Sequence, residues 1–195
     1  MNGGVVAGLL LAAGGGSRFG GPKALVEFEG ERLADRGVRV LAEGGCRPVL
    51  VVLGAADVPV AGAVVVRNPE WAAGMGSSLR AGLRALPAAA PAVVVALADQ
   101  PLVRPEAVRR LIAAFGAGAR VAVAAYGGAL RNPVLIAREH LAEVAALAEG
   151  DVGARPFLRA HPELVTPVPC DDAGDPADVD TPADLCRLRK GRLHK

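Results

Sequence analysis

The 195-residue chain predicts an α/β protein: a mostly parallel central sheet with helices on both faces. Three observations point there. Short apolar runs alternate with amphipathic stretches, the pattern of strands buried on both sides by crossover helices. The first apolar run ends in a glycine-rich loop, and a later one ends in a single aspartate, both placed where open α/β sheets gather their ligands.

In chain order, the pattern predicts a strand over 5–11, a helix over 32–43, strands over 49–53 and 64–66, a helix over 77–86 and a strand over 93–97. A helix over 105–115, a strand over 121–125, a helix over 138–148, a strand over 164–168 and a helix over 182–189 follow. Each strand is short and rich in valine. The last helix has the clearest start: Thr181 offers a capping hydroxyl, Pro182 suits the first turn, and Asp184 complements the positive end of the helix. Residues 171–178 are polar and turn-rich and read as a loop. With no repeat at solenoid period and no long linker, residues 1–190 form one domain, followed by a disordered tail over 191–195.

Composition removes several classes of function. Hydrophobic residues make up 52% of the chain, yet no apolar run approaches the roughly 20 residues of a membrane span. The start, Met1-Asn2-Gly3-Gly4, has no basic region ahead of an apolar one, so no export signal is read. Cys46, Cys170 and Cys186 form no CxxC pair, which fits a reducing cytoplasm and argues against zinc or a disulfide framework. A net charge of +2 and 3% aromatic content give no basic stripe with stacking rings, so neither nucleic acid nor membrane is expected as a partner. The substrate should be small.

The run Leu9-Leu10-Leu11-Ala12-Ala13-Gly14-Gly15-Gly16-Ser17-Arg18-Phe19-Gly20-Gly21-Pro22-Lys23 is the most informative stretch. A strand end opens into five glycines, a hydroxyl and two cations. Glycine lets the backbone approach a ligand so that successive N–H groups converge on phosphate oxygens, with Arg18 adding a fork of donors and Lys23 a compact charge. Lys23 is also the sole lysine before Lys190. The Walker pattern fails because Lys23 lies between Pro22 and Ala24, and the dinucleotide fingerprint fails at Phe19. A polyphosphate cradle of another kind is left.

Asp99 closes the run Val93-Val94-Val95-Ala96-Leu97-Ala98. A carboxylate there serves either as a turn residue before Pro101 or as one of the few protein ligands to Mg²⁺, whose other ligands are substrate phosphates. Six aspartates fall between Asp171 and Asp184, against four earlier in the chain, so a second metal carboxylate has its best candidates there. Gly74-Met75-Gly76-Ser77-Ser78 reads as a flexible entry to a helix N-terminus whose hydroxyls and free N–H groups suit a nucleotide, or as a plain serine cap. Trp71 suits either ring stacking or core-edge packing.

The glycine loop resembles the signature of the molybdenum-cofactor nucleotidyltransferases, the MobA/MocA-like branch of the Rossmann-like nucleotide-diphospho-sugar transferase (glycosyltransferase-A-like) fold. Asn68-Pro69-Glu70-Trp71 through Leu83, Leu97-Ala98-Asp99-Gln100-Pro101, Gly150-Asp151-Val152-Gly153-Ala154-Arg155 and Asp178-Val179-Asp180-Thr181-Pro182 extend the resemblance over nearly the whole chain. It implies that Leu11, Ala12, Ala13, Gly14, Gly15, Gly16, Ser17, Arg18 and Lys23 contact the nucleotide, with Ser77, Ser78 and Arg80 beside it. Arg18, Lys23 and Asp99 would carry catalysis. Asp99 and Asp180 would hold Mg²⁺, with Asp178 in reserve, and Asn132 and Arg155 would face the acceptor. Asn132 stands where cofactor cytidylyltransferases often carry histidine.

The implied reaction is transfer of CMP from CTP to molybdopterin with release of pyrophosphate; a molybdenum hydroxylase or its maturation factor is the implied protein partner. Guanylyl transfer from GTP, a sugar-1-phosphate nucleotidyltransferase and a non-catalytic nucleotide-binding accessory protein stay open as alternatives.

Overall fold

The computed structural model describes residues 4–192. In chain order the strands and helices are β1 (Ala7–Leu11), β2 (Glu27–Phe28), β3 (Glu31–Arg32), α1 (Leu33–Glu43), β4 (Val49–Leu53), β5 (Val64–Arg67) and α2 (Met75–Arg84). Then come β6 (Ala92–Leu97), α3 (Pro105–Gly116), β7 (Val121–Tyr126), β8 (Ala129–Ala137), α4 (Leu141–Leu147), α5 (Arg155–Ala160), β9 (Val165–Pro169) and α6 (Pro182–Arg192). Seven strands form one sheet in the order β5-β4-β1-β6-β8-β7-β9, and β2 and β3 make a separate hairpin. All neighbours in the large sheet are parallel except those of β8, which runs against both β6 and β7.

Side chains along each central strand alternate between two cores, as the two-residue period of a strand requires. Leu10, Val51 and Val94 join a cluster with Val38, Leu41 and Val108, beneath α1 and α3. Leu9, Val52 and Val95 join Leu79, Val144 and Phe157, beneath α2, α4 and α5. Burial on both faces explains why β1, β4 and β6 read as unbroken apolar runs rather than alternating ones.

Four elements escaped the sequence reading: β8, β2, β3 and α5. β8 contains Asn132-Pro133, and a proline demotes a run as a strand candidate. The structure resolves the conflict with a bulge: Val134 pairs with Val123 and Arg131 with Ala124, so residues 132–133 stand outside the ladder. The β2–β3 hairpin has two residues per strand and α5 only six in all, too few for a periodic signal. The helix predicted over 138–148 is a 3-10 turn at Arg138–His140 followed by α4. The tail predicted from 191 is helical through Arg192, and the rest of it lies outside the described residues.

Two features matter later. β1 is flanked by β4 and β6, with Leu11 level with Val52 and Leu97, so the loop after β1 and the residues after β6 emerge side by side. Strand β9, at one edge, places Pro167 and Pro169 opposite Val123 and Ala125. No helix among the described residues is long and apolar enough to cross a membrane.

Candidate functional site: a lysine between two carboxylates

Leu11, Ala12 and Ala13 are buried, and their backbone continues the sheet: Ala98 N–H donates to Leu11 O, Ala12 N–H to Val52 O and Ala55 N–H to Ala13 O, at 3.0–3.1 Å. Chain direction then changes within the glycine loop. Gly16 has φ +60°, and a Cβ there would lie 2.1 Å from the Gly21 carbonyl oxygen, so only glycine fits. The Gly16 carbonyl accepts the amides of Phe19, Gly20 and Gly21, and Lys23 N–H donates to Gly14 O. This knot leaves the amides of residues 15–18 without a hydrogen-bond acceptor among the described residues, on a rim where Gly14, Ser17 and Arg18 are exposed.

The same knot aims Lys23 across the carboxyl ends of β1 and β6. Lys23 Nζ donates to Asp99 Oδ2 at 2.7 Å and to Asp180 Oδ1 at 2.5 Å. The Lys23 and Asp99 side chains are 18% and 19% exposed, a half-buried setting in which an ion pair is screened far less than at the surface. Arg18 NH1 lies 3.8 Å from Asp180 Oδ2, but its side chain is 76% exposed and that pair is weak as it stands. Asp99 and Asp180, far apart in sequence, therefore meet at one cation.

Burial raises the Asp99 carboxyl above its ordinary 3.8, and the nearby Lys23 ammonium offsets that only in part. Burial also works against the Lys23 ammonium, but Asp99 and Asp180 outweigh it and hold the amine above 10.5. These shifts pull in different senses, one toward a neutral acid and one toward a charged base. Close contact with a charged donor decides for the ion pair at neutral pH. The second Asp99 oxygen, Oδ1, is buried and has no hydrogen-bond partner among the described residues. A buried carboxylate oxygen without a donor is a costly arrangement that a cation would relieve.

Asp180 is placed by its neighbours. Thr181 and Asp184 form a reciprocal cap at the start of α6: Asp184 Oδ2 accepts from Thr181 N–H (2.9 Å), Thr181 Oγ1–H (2.8 Å) and Asp180 N–H (3.2 Å), while Asp184 N–H returns a bond to Thr181 Oγ1 (3.2 Å). The Thr181 hydrogen bond, ahead of burial working the other way, keeps the Asp184 carboxyl below its usual range. Asp178, the reserve candidate, instead accepts from Gln100 Nε2 at 2.9 Å. Gln100 was not singled out from sequence; its signal was a polar side chain directly after a strand-end carboxylate.

The helix expected to offer open hydroxyls and amides is differently arranged. Ser77 and Ser78 are each 3% exposed, and buried Asn68 donates from Nδ2 to both hydroxyl oxygens, at 2.9 and 3.0 Å. The first-turn amides expected to be free are not: Met75 N–H donates to Asp151 Oδ1 and Gly76 N–H to Gly150 O. Arg80 donates to the Ala148 carbonyl. Trp71 packs its ring on the backbone at Gly15, the core-edge alternative. Asn132 lies in the β8 bulge, next to where β6 runs on toward Asp99, and Arg155 is exposed on the first turn of α5.

A family model described as the MobA-like NTP transferase domain matches residues 8–165. The chain is 39% identical to nicotine blue oxidoreductase of Paenarthrobacter nicotinovorans, over 94% of this chain and 96% of that one. It is 38% identical to a probable molybdenum cofactor guanylyltransferase of Opitutus terrae, over 52% of each. Among solved structures, Rv0371c of Mycobacterium tuberculosis H37Rv superposes with a TM-score of 0.83 at 29% identity, covering 97% of this chain and 100% of that one. A structure of Rv0371c in complex with manganese gives 0.75 at 28% identity, covering 95% and 98%. With a match from the first strand to the last, the chain belongs to the MobA-like NTP transferase family of nucleotidyltransferases.

Proposed function

We propose that the chain transfers a nucleoside monophosphate from a triphosphate to a phosphorylated acceptor with release of pyrophosphate, CTP being the favoured donor and a molybdopterin-type molecule the favoured acceptor. One observation carries this reading: Lys23, Asp99 and Asp180 meet at the rim of a glycine loop whose amides 15–18 are unspent. An acceptor phosphate oxygen attacks the α-phosphorus in line, and the bond to the bridging oxygen of the β-phosphate breaks. That nucleophile is already ionised near neutral pH, so the work asked of the protein is positioning and charge neutralisation rather than proton removal. The loop amides, Arg18 and Lys23 hold the departing pyrophosphate.

Asp99 and Asp180 would hold Mg²⁺, and the unpartnered Asp99 Oδ1 fits that assignment. When bound, the ion supplies positive charge to the phosphate oxygens. The manganese complex of Rv0371c, whose fold this chain shares, supports the reading of a divalent ion here. The Opitutus relative keeps GTP in play as donor. On the CTP reading a molybdenum hydroxylase or its maturation factor would be the client, in the cytoplasm. A thermal-shift panel of the four ribonucleoside triphosphates, each with and without Mg²⁺, tests the reading. Stabilisation by CTP that needs Mg²⁺ is expected; indifference to all four would overturn it.

A second reading has its own support, since the relative matched along nearly its whole length is named an oxidoreductase. On that reading the loop would cradle the diphosphate of a dinucleotide hydride donor. Oxidation of NADH or NADPH coupled to reduction of a quinonoid dye, without pyrophosphate release from any triphosphate, would favour it.

A further inference from the structure

The chain leaving β6 and the loop leading into α6 run alongside one another. Arg104 N–H donates to Ala173 O (3.1 Å), Asp175 N–H to Leu102 O (3.3 Å) and Val179 N–H to Asp99 O (2.8 Å). Within this ladder sits a buried polar side chain, Gln100, only 8% exposed. Its Nε2 spends both hydrogens on the opposite loop, one on Asp178 Oδ1 at 2.9 Å and one on Pro176 O at 3.1 Å. Asp178 and Asp180 are two residues apart, with fully buried Val179 turned inward between them. In extended chain, residues at that spacing share a side, so small shifts of register decide which carboxylate reaches Lys23.

We propose that Gln100 is the positioning residue that makes this choice: by taking the Asp178 carboxylate it delivers Asp180, and not Asp178, to Lys23 and to the divalent ion. A neutral amide suits the task. Two carboxylates, Asp99 and Asp180, meet Lys23 here and Asp180 also faces the exposed Arg18, while Asp178 close by already disfavours ionisation of Asp99. A carboxylate at position 100 would add a fourth negative charge, whereas a cation would draw Asp178 and Asp180 alike. Only the role toward the ion rests on the nucleotidyl-transfer reading above.

Two measurements on Gln100→Leu, Gln100→Glu, Asp178→Asn and the double variant Gln100→Glu/Asp178→Asn test this. The first is hydrogen exchange of the Val179 amide, which should quicken about tenfold in both Gln100 single variants once the clamp is lost, with Val94 in β6 unchanged. The double variant moves the donor to position 178 and should slow exchange again in part, the bond to Pro176 O remaining lost. The second is Mn²⁺ titration in the presence of α,β-methylene-CTP or α,β-methylene-GTP. Here the dissociation constant should rise about tenfold in the Gln100 single variants, as when a residue orienting a ligand is lost. It should recover in the double variant, and Asp178→Asn alone, which still offers Gln100 an acceptor, should match wild type.

Unchanged exchange and unchanged Mn²⁺ affinity in Gln100→Leu would overturn the proposal. So would an Asp178→Asn variant that loses Mn²⁺ as Asp180→Asn does, since Asp178 would then be the ligand. If wild type binds no Mn²⁺ beside either nucleotide, the functional reading falls and the Val179 exchange alone decides the role of Gln100.

Discussion

Two glycine-rich segments of this chain look alike as letters and behave differently as structure. Residues 14–23 turn back on the Gly16 carbonyl, leave their outer amides unspent and send Lys23 to two carboxylates. Residues 74–78 carry glycine and serine too, but their polar groups pair inward, with Asn68, Glu70, Gly150 and Asp151 of the same chain. A Cβ at Gly76 would stand 2.7 Å from the Ala148 backbone, so glycine there serves packing. What separates a cradle from a joint is whether the donors that glycine exposes have partners in the protein.

The comparison is broken most directly at its charged end. Asp99→Asn should cut pyrophosphate release by about a hundredfold or more while leaving the chain folded, and Lys23→Met should cost a similar factor, as when a donor to developing charge is removed. If either variant kept near-normal turnover, the first segment would be only another joint. The packing segment predicts the reverse split: Gly76→Ala should cost about 1–3 kcal/mol of stability from overpacking, measured by urea unfolding, with turnover of the folded fraction little changed. A large activity loss without destabilisation would reassign that segment to ligand binding.

Smaller effects sharpen the picture. Thr181→Ala removes the cap that fixes the approach of Asp180 and should cost about 1 kcal/mol, readable in the same unfolding series. The ion pair also leaves a pH signature. Because Asp99 and Asp180 outweigh burial and hold Lys23 above 10.5, the folded chain binds that proton more tightly than the unfolded one. The contribution is therefore complete below pH 10.5 and fades as pH rises through the higher folded value. Unfolding at about pH 8 and about pH 11 should show wild type losing stability relative to Lys23→Met, and an unchanged gap would place Lys23 outside the pair.

The charged constellation was legible because each member sits at a position with a chemical signature: a lone lysine in a glycine loop, a carboxylate ending an apolar strand, an aspartate just before a Thr-Pro helix start. Their meeting was not readable by spacing alone and came through the family resemblance. β1, β4, β6 and β7 were plain as apolar runs, whereas β8 was hidden by a proline that the fold accommodates in a bulge. Gln100 and Asn68 were missed for a different reason. Their importance lies in which atoms they satisfy across the fold, and nothing in local composition reports that.

The proline-bearing edge strand has a consequence for self-association. Cys170 N–H donates to Ala125 O, so strand alternation turns the amides of 166 and 168 toward β7 and the nitrogens of 165, 167 and 169 outward. Two of those three outward nitrogens belong to Pro167 and Pro169, which carry no hydrogen to give. A strand from another molecule thus finds few donors on that flank, a built-in guard against fibre-like stacking. Any growth of the large sheet by a neighbouring copy is steered to its opposite border along Val64–Arg67, where Val64 is 55% exposed.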